Sequence, residues 1–231
     1  MNDQTQTLLD AALLHVPFDG WSDEALKAAA SDAGIDMATA RSLFPRGGVD
    51  LALAYHRSGD AQMAAQLAAQ DLSHLRFRDR IALAVRTRIE AAEDRELVRR
   101  GTTLFALPPY APDGARAIWG TADLIWSTLG DTSEDYNWYT KRATLAAVYS
   151  STVLYWLGDD SPNAQATWNF LDRRIDGVMQ FERVKGAVEK NPLLRAAFAG
   201  PRAVLSCLKA PARAPRTDLP GYVSPPPTQQ G

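Results

Sequence analysis

Apolar residues recur along this chain at intervals of three and four, and no stretch alternates with period two, so the pattern predicts helices and no sheet. Leu8, Ala11, Ala12 and His15 share one helical face before residues 17–21 interrupt it. Ser22, Asp23 and Glu24 cap a second helix running to about Ala33, with Gly34 as its stop. A third short helix opens at Asp36 and ends at Phe44, and a fourth begins near Val49. Residues 59–77 predict an alanine-rich amphipathic helix, and residues 78–100 another, with Ile81, Val85, Ile89 and Leu97 on one side and Arg and Glu on the other. A proline-rich loop leads to a helix over 113–129. The longest helix spans 134–157, opened by Thr132 or Ser133 and stopped by Gly158. Residues 163–181 predict one more, with Pro162 where proline is tolerated at a helix start.

The helix at 134–157 divides in two. Residues 143–157 carry no charge, yet a membrane span needs about 20 predominantly apolar residues, so this half reads as a buried core helix. The other half crowds Asp135, Asn137, Trp138, Tyr139, Lys141 and Arg142 onto little more than two turns. Large aromatics mixed with both signs of charge suggest a surface that contacts something.

Charge changes the picture at both ends. The first three helices have the rhythm of a helix-turn-helix unit, most closely that of tetracycline-repressor-like regulators, and the string AASDAGIDMATARSLF carries it. Yet residues 1–60 hold nine acids and four bases, whereas DNA affinity rests on Lys and Arg contacts to phosphate. A plain three-helix packing unit is therefore favoured, and no nucleic-acid partner is expected. Residues 183–216 are the reverse, with eight bases and one acid. Leu193, Leu194, Ala197 and Phe198 lie there at helical spacing, and Arg195 and Arg202 stand among them. A basic amphipathic helix of this kind suits an anionic membrane surface, though one folded back with its bases in solvent has the same pattern. The expected units are 1–58, 59–181, a membrane-contact helix at 182–209 and a disordered proline-rich tail at 210–231.

A catalytic site is not evident. His15, His56 and His74 are far apart and show no metal-ligand spacing, and Asp71 with His74 reads as a solvated polar pair rather than a ligand pair. Cys207 is the only cysteine, so no internal disulfide forms, and it lacks a neighbouring His. No phosphate loop, dinucleotide fingerprint or nucleophile elbow is present. Asp135 and Arg142 read as an ion pair rather than an acid–base pair. The expectation is a protein without enzymatic activity, metal or cofactor. The acidic first 20 residues predict neither a secretory signal nor a mitochondrial presequence. A Trp-rich helical body can be a solid core or enclose a cavity for an apolar ligand.

The string DTSEDYNWYTKRATLAAVYSSTVLYWLGDDSPNAQATWNFLDRRID resembles the signature region of the ninth coenzyme Q biosynthesis (COQ) protein family. It reads Asp135, Tyr136, Asn137, Trp138, Tyr139, Thr140, Lys141, Arg142, Leu145, Ala146, Val148, Tyr149, then Asp160, Ser161, Pro162, Trp168, Phe170 and Leu171. HVPFDGWSDEALKAAA resembles the family's opening, and the similarity covers roughly residues 8–181. The resemblance implies an all-α, tetracycline-repressor-like bundle with a degenerate helix-turn-helix. It also implies a homodimeric accessory protein of ubiquinone biosynthesis that binds an isoprenoid lipid or quinone intermediate and presents it to the di-iron demethoxyubiquinone hydroxylase. The family's partner-binding patch carries over to Asp135, Trp138 and Tyr139, with Asp123 and Arg142 beside it. Trp119, Leu145, Tyr149 and Trp156 are the expected lipid-contact residues. The implied setting is a bacterial cytoplasm, peripheral to the inner membrane.

Overall fold

Caps and stops decide most of the element boundaries. The Ser22 side chain accepts the Ala25 backbone N–H at 3.1 Å and Asp36 accepts that of Thr39 at 3.0 Å, while Gly34 takes the left-handed backbone (φ 64°) that ends the helix before it. The computed structural model describes residues 3–92, 94–134 and 136–190, with residues 179–190 as backbone only. Among these the regular elements are all helical: α1 (Asp3–Asp19), α2 (Asp23–Asp32), α3 (Met37–Leu43), α4 (Gly48–Ala68), α5 (Phe77–Glu90), α6 (Arg95–Ala106), α7 (Ala111–Thr128), α8 (Tyr136–Leu157) and α9 (Gln165–Lys190). A 3-10 turn at Pro162–Ala164 precedes α9. The all-helical fold stands as the pattern predicts.

Four boundaries differ from the expectation, the first being that α1 runs through Pro17 to Asp19 instead of breaking there. The helix expected at 59–77 is the second half of α4, which ends at Ala68 and is followed by loop. The helix expected at 78–100 is two helices, α5 and α6, and α6 runs on to Ala106 through residues read as a turn and loop. Asp94 makes the break by accepting the Glu96 N–H at 2.7 Å, so the acid caps a new helix instead of lying on the flank of an old one. Helix α9 does not stop near Phe181 but continues to Lys190.

Two apolar cores form. One gathers Leu8, Leu9, Val16, Trp21, Leu26, Phe44 and Leu51 from α1–α4. The other gathers Met63 and Leu67 with Ile81, Val85, Ile125, Leu145, Tyr149, Trp168 and Ile175. Helix α4 serves both, and Leu97 of α6 joins the first, so packing does not follow chain order. The Trp21 indole N–H donates to the Leu97 carbonyl at 3.0 Å, and Arg100 donates to the Pro17 carbonyl at 2.9 Å. These bonds fasten the N-terminal helices to α6.

The start of α4 is tight. A Cβ on Gly48 would collide with the backbone of Trp21 and Ser22, and backbone cannot swing aside as a side-chain tip can. Gly48→Ala is expected to destabilise the fold by about 1–3 kcal/mol, read from the midpoint of chemical denaturation. An unchanged midpoint would mean that the Trp21–Ser22 segment moves freely.

Candidate functional site

Two features stand next to each other on α8: an aromatic and charged cluster at its first turns, and an apolar cavity beneath its second half. Arg142 organises the first. Its side chain is 0% exposed, and a buried guanidinium must be compensated. Nε donates to Asp123 of α7 at 2.5 Å, and Nη1 donates to Asp131 at 3.0 Å and to the Trp138 carbonyl at 3.1 Å. The guanidinium carbon also lies 4.1 Å from the Trp138 ring centroid, a cation–π contact. Asp131 accepts from Lys141 and from Ser133, each at 2.8 Å. Burial would raise the Asp131 pKa, but these donors and Arg142 outweigh it and hold it down at about 2.

Outside this ionic knot lies a ring cluster. Trp138 and Tyr139 meet edge to face at 4.8 Å, and Trp119 of α7 approaches them at 6.0 and 6.5 Å. Tyr139 and Trp119 are half-buried, and the Asp123 side chain is 43% exposed. The structure therefore brings Asp123, Trp138, Tyr139 and Arg142 together. Arg142, expected on a partner surface, offers none of its own; it holds Asp123 and Trp138 in place instead. Asp135 lies outside the described residues, as do Leu193, Leu194, Arg195, Ala197, Phe198, Arg202 and the segment 191–231.

The cavity has a volume of about 220 Å³ and is walled by α4, α5, α6, α7 and α8. Tyr149 and Trp156 line it with Ile89, Phe105, Ile118 and Val153. Leu145 instead lines a second apolar groove of about 250 Å³ beside Phe77 and Trp126. Trp119 lines neither, since it turns toward Trp138 while its neighbour Ile118 faces the cavity. One step along a helix turns a side chain by roughly 100°, which is enough to separate the two roles.

The cavity wall also holds polar residues that sequence reasoning missed. Arg88 and His56 line it. Arg88 Nε donates to Asp60 at 2.6 Å and Nη2 donates to the His56 carbonyl at 3.0 Å. Thr121 donates to Asp60 at 2.9 Å, and its hydroxyl lies 2.8 Å from His56 Nε2. Gly59 makes room for the guanidinium, because a Cβ there would stand 2.6 Å from Nη1. The spacing of His56 and Asp60, four residues apart on one helix, was the available signal. Among the described residues no group of three or more His, Cys, Asp or Glu side chains is arranged to hold a metal ion.

Known proteins share this arrangement of helices and this sequence. The family model COQ9 matches residues 111–182, which include α7, α8 and the whole of the signature string. The ubiquinone biosynthesis protein COQ9, mitochondrial, of Rattus norvegicus is 33% identical over 183 residues, covering 74% of this chain and 57% of that protein. Its counterpart in Drosophila melanogaster is 32% identical over 187 residues, covering 79% and 57%. The chain carries a COQ9 family domain. It spans a little over half the length of these curated COQ9 relatives. A TetR transcriptional regulator from Nitrosomonas europaea ATCC 19718 superimposes with a TM-score of 0.62 at 19% identity, covering 76% of this chain and 97% of that one. At that identity the likeness concerns the fold alone, and it is the tetracycline-repressor-like fold that the helix rhythm suggested.

The ionic knot predicts an acid dependence. The Asp131 pKa is about 2 in the folded chain against a reference of 3.8, so the folded state binds its proton less readily than the unfolded state. Its stabilising contribution is fully present above about pH 4 and disappears as pH falls through 2. Asp131→Asn is expected to cost about 2 kcal/mol at pH 7, with the gap from the parent chain closing toward pH 2. Urea denaturation at pH 7, 4 and 2 checks this, and a pH-independent gap would contradict it.

Proposed function

We propose that this chain is an accessory protein of ubiquinone biosynthesis that shelters part of an isoprenoid quinone intermediate and presents it to a hydroxylase. The observation that carries this reading is the apolar cavity under α8 in a chain whose COQ9 relatives are named for ubiquinone biosynthesis. The cavity, at about 220 Å³, is smaller than the roughly 300–1,000 Å³ of ordinary ligand sites. It suits one end of a long lipid, with the remainder passing outward. Tyr139 and Trp119, half-buried and backed by Trp138 (9% exposed) where Arg142 pins it, supply rigid aromatic area of the kind that anchors protein interfaces, with Asp123 as a charged neighbour. The hydroxylase is the partner that the family resemblance implies for this face.

Two further parts belong to the same proposal. Peripheral membrane contact falls to the basic residues after Lys190, and no helix among the described residues is long and apolar enough to cross a membrane. A second copy of the chain would meet the α8–α9 face, where Tyr155, 40% exposed, stacks on Phe170 at 4.5 Å. The chain's part in the pathway is to bind and deliver, and no catalytic step is assigned to it.

The fold of a transcriptional regulator raises a DNA-binding reading, and the placement of charge weighs against it. Arg41, the sole base of α3, is paired with Asp23 at 3.0 Å, and Arg46 is paired with Asp50 and Asp113, each at 2.9 Å. Bases already neutralised by carboxylates contribute little to phosphate binding.

Organic extraction of the purified chain followed by mass spectrometry is expected to recover a co-purifying isoprenoid lipid. Recovery of none, from protein isolated out of quinone-producing cells, would contradict the sheltering role. Trp138→Ala is expected to weaken hydroxylase capture by about 2 kcal/mol or more, the usual cost of losing an aromatic anchor, while circular dichroism stays unchanged. Undiminished capture by a folded variant would remove Trp138 from the interface.

A further inference from the structure

The apolar cavity has one polar wall, and the chemistry of that wall says which end of a lipid it receives. Arg88 is 6% exposed and Tyr149 is 5% exposed, and both line the cavity, with the guanidinium carbon 5.9 Å from the Tyr149 ring centroid. Arg88 spends Nε on Asp60 and Nη2 on the His56 carbonyl. Neither its Nη1 nor the Tyr149 hydroxyl hydrogen-bonds to any described residue. Both residues line the cavity, so an acceptor on a ligand held there would complete their hydrogen bonding.

The electrical balance of the wall narrows the ligand. Arg88 and Asp60 cancel each other. Burial, followed by the positive charge of Arg88, lowers the His56 pKa to about 4, so the imidazole is neutral at pH 7. Burial raises the Tyr149 pKa, so its phenol keeps its proton and remains a donor. An anionic head would add an uncompensated charge to a wall that is already neutral. A neutral oxygen would accept from the spare donors at no such cost.

The cavity has an inner side and an outer side. Leu154 is 60% exposed and lines the cavity five residues beyond Tyr149, or about 7.5 Å along α8. A site of about 150 Å³ is enough to bind a benzene ring, so 220 Å³ takes a six-membered ring and a short stub of chain. A long polyprenyl tail does not fit.

We propose that the cavity binds a neutral, oxygen-bearing ring head first, with a ring oxygen accepting from Arg88 Nη1 and the Tyr149 hydroxyl and the tail leaving past Leu154. This rests on the lipid-sheltering reading above and specifies which part of the lipid is held. Arg88 and Tyr149 then determine the choice between a quinone-type head and a plain hydrocarbon. Gly59 and Asp60 act as positioning residues for the guanidinium.

The test uses the full chain, freed of lipid, and three probes of one shape in isothermal titration calorimetry. They are a 1,4-benzoquinone with one isoprene unit, prenylbenzene, and 4-prenylbenzoate. The quinone is expected to bind about tenfold more tightly than prenylbenzene, the scale of one or two net hydrogen bonds, and the benzoate more weakly than the quinone. Tyr149→Phe is expected to weaken the quinone about fivefold and to leave prenylbenzene unchanged. If that variant fails to fold, Arg88→Lys is measured instead, because it keeps a charge for Asp60 and removes Nη1. Equal binding of quinone and prenylbenzene overturns the head-first proposal while leaving lipid sheltering intact, as does a folded variant with unaltered quinone affinity. Preferred binding of the benzoate overturns the neutral-head assignment. Failure of all three probes to bind overturns both this proposal and the sheltering role.

Discussion

A guanidinium with no exposed surface constrains this structure more than any other group. Arg142 sits in the second turn of α8, and its charge is tolerated only because Asp123 reaches it from α7 and Asp131 from the connecting turn. The pairing fixes how α7 and α8 lie against each other. It also aims Trp138, which accepts Arg142 on its backbone carbonyl and against its ring face. Removing Arg142 itself is expected to cost on the order of 3–5 kcal/mol, because Asp131 stays buried without its guanidinium. The aromatic face beside it is thus a consequence of a core constraint rather than a patch laid on the surface.

Arginine does similar work elsewhere in the body. Arg99 donates to the Leu157 carbonyl at 2.8 Å and Arg95 to the Asp159 carbonyl at 2.5 Å, so α6 closes the C-terminal end of α8, where unpaired carbonyls and the helix dipole favour positive charge. Arg95 also lies 4.9 Å from the Trp156 ring. Beyond that end, Asp159 accepts the backbone N–H groups of Ser161 and Thr167 at 2.9 and 2.8 Å, which orders the turn into α9. Helix α8 is therefore held at both ends by charge, and its uncharged second half is left to form the cavity wall. The same logic explains Arg88, which is buried beside the cavity because Asp60, the His56 carbonyl and the space over Gly59 receive it.

Several features were legible along the chain. The capped short helices at the N-terminus, the long helix and its division into a charged entrance and an apolar remainder are local patterns, and they stand in the fold. The break between α5 and α6 was not legible, because residues 91–97 are good helix formers apart from the Asp94 cap, and an acid on a charged flank looks the same either way. Trp119 and Leu145 are expected lipid-contact residues on the family resemblance, yet neither lines the cavity. Their actual directions depend on how α7 and α9 pack around α8.

The amino-acid sequence alone determined the helical class, the family signature, the acidic character of the N-terminal unit and the basic character of the chain's end. Those properties are carried by period, spacing and charge, which are local quantities. Only the tertiary structure decided that Arg142 is interior, that Trp138 and Trp119 share one face, and that Arg88 and Tyr149 hold spare donors against an apolar space. Each of those facts depends on groups 11 or more residues apart meeting in a medium without water. Burial there turns an ordinary arginine into either an anchor or a recognition group, according to which carboxylates reach it.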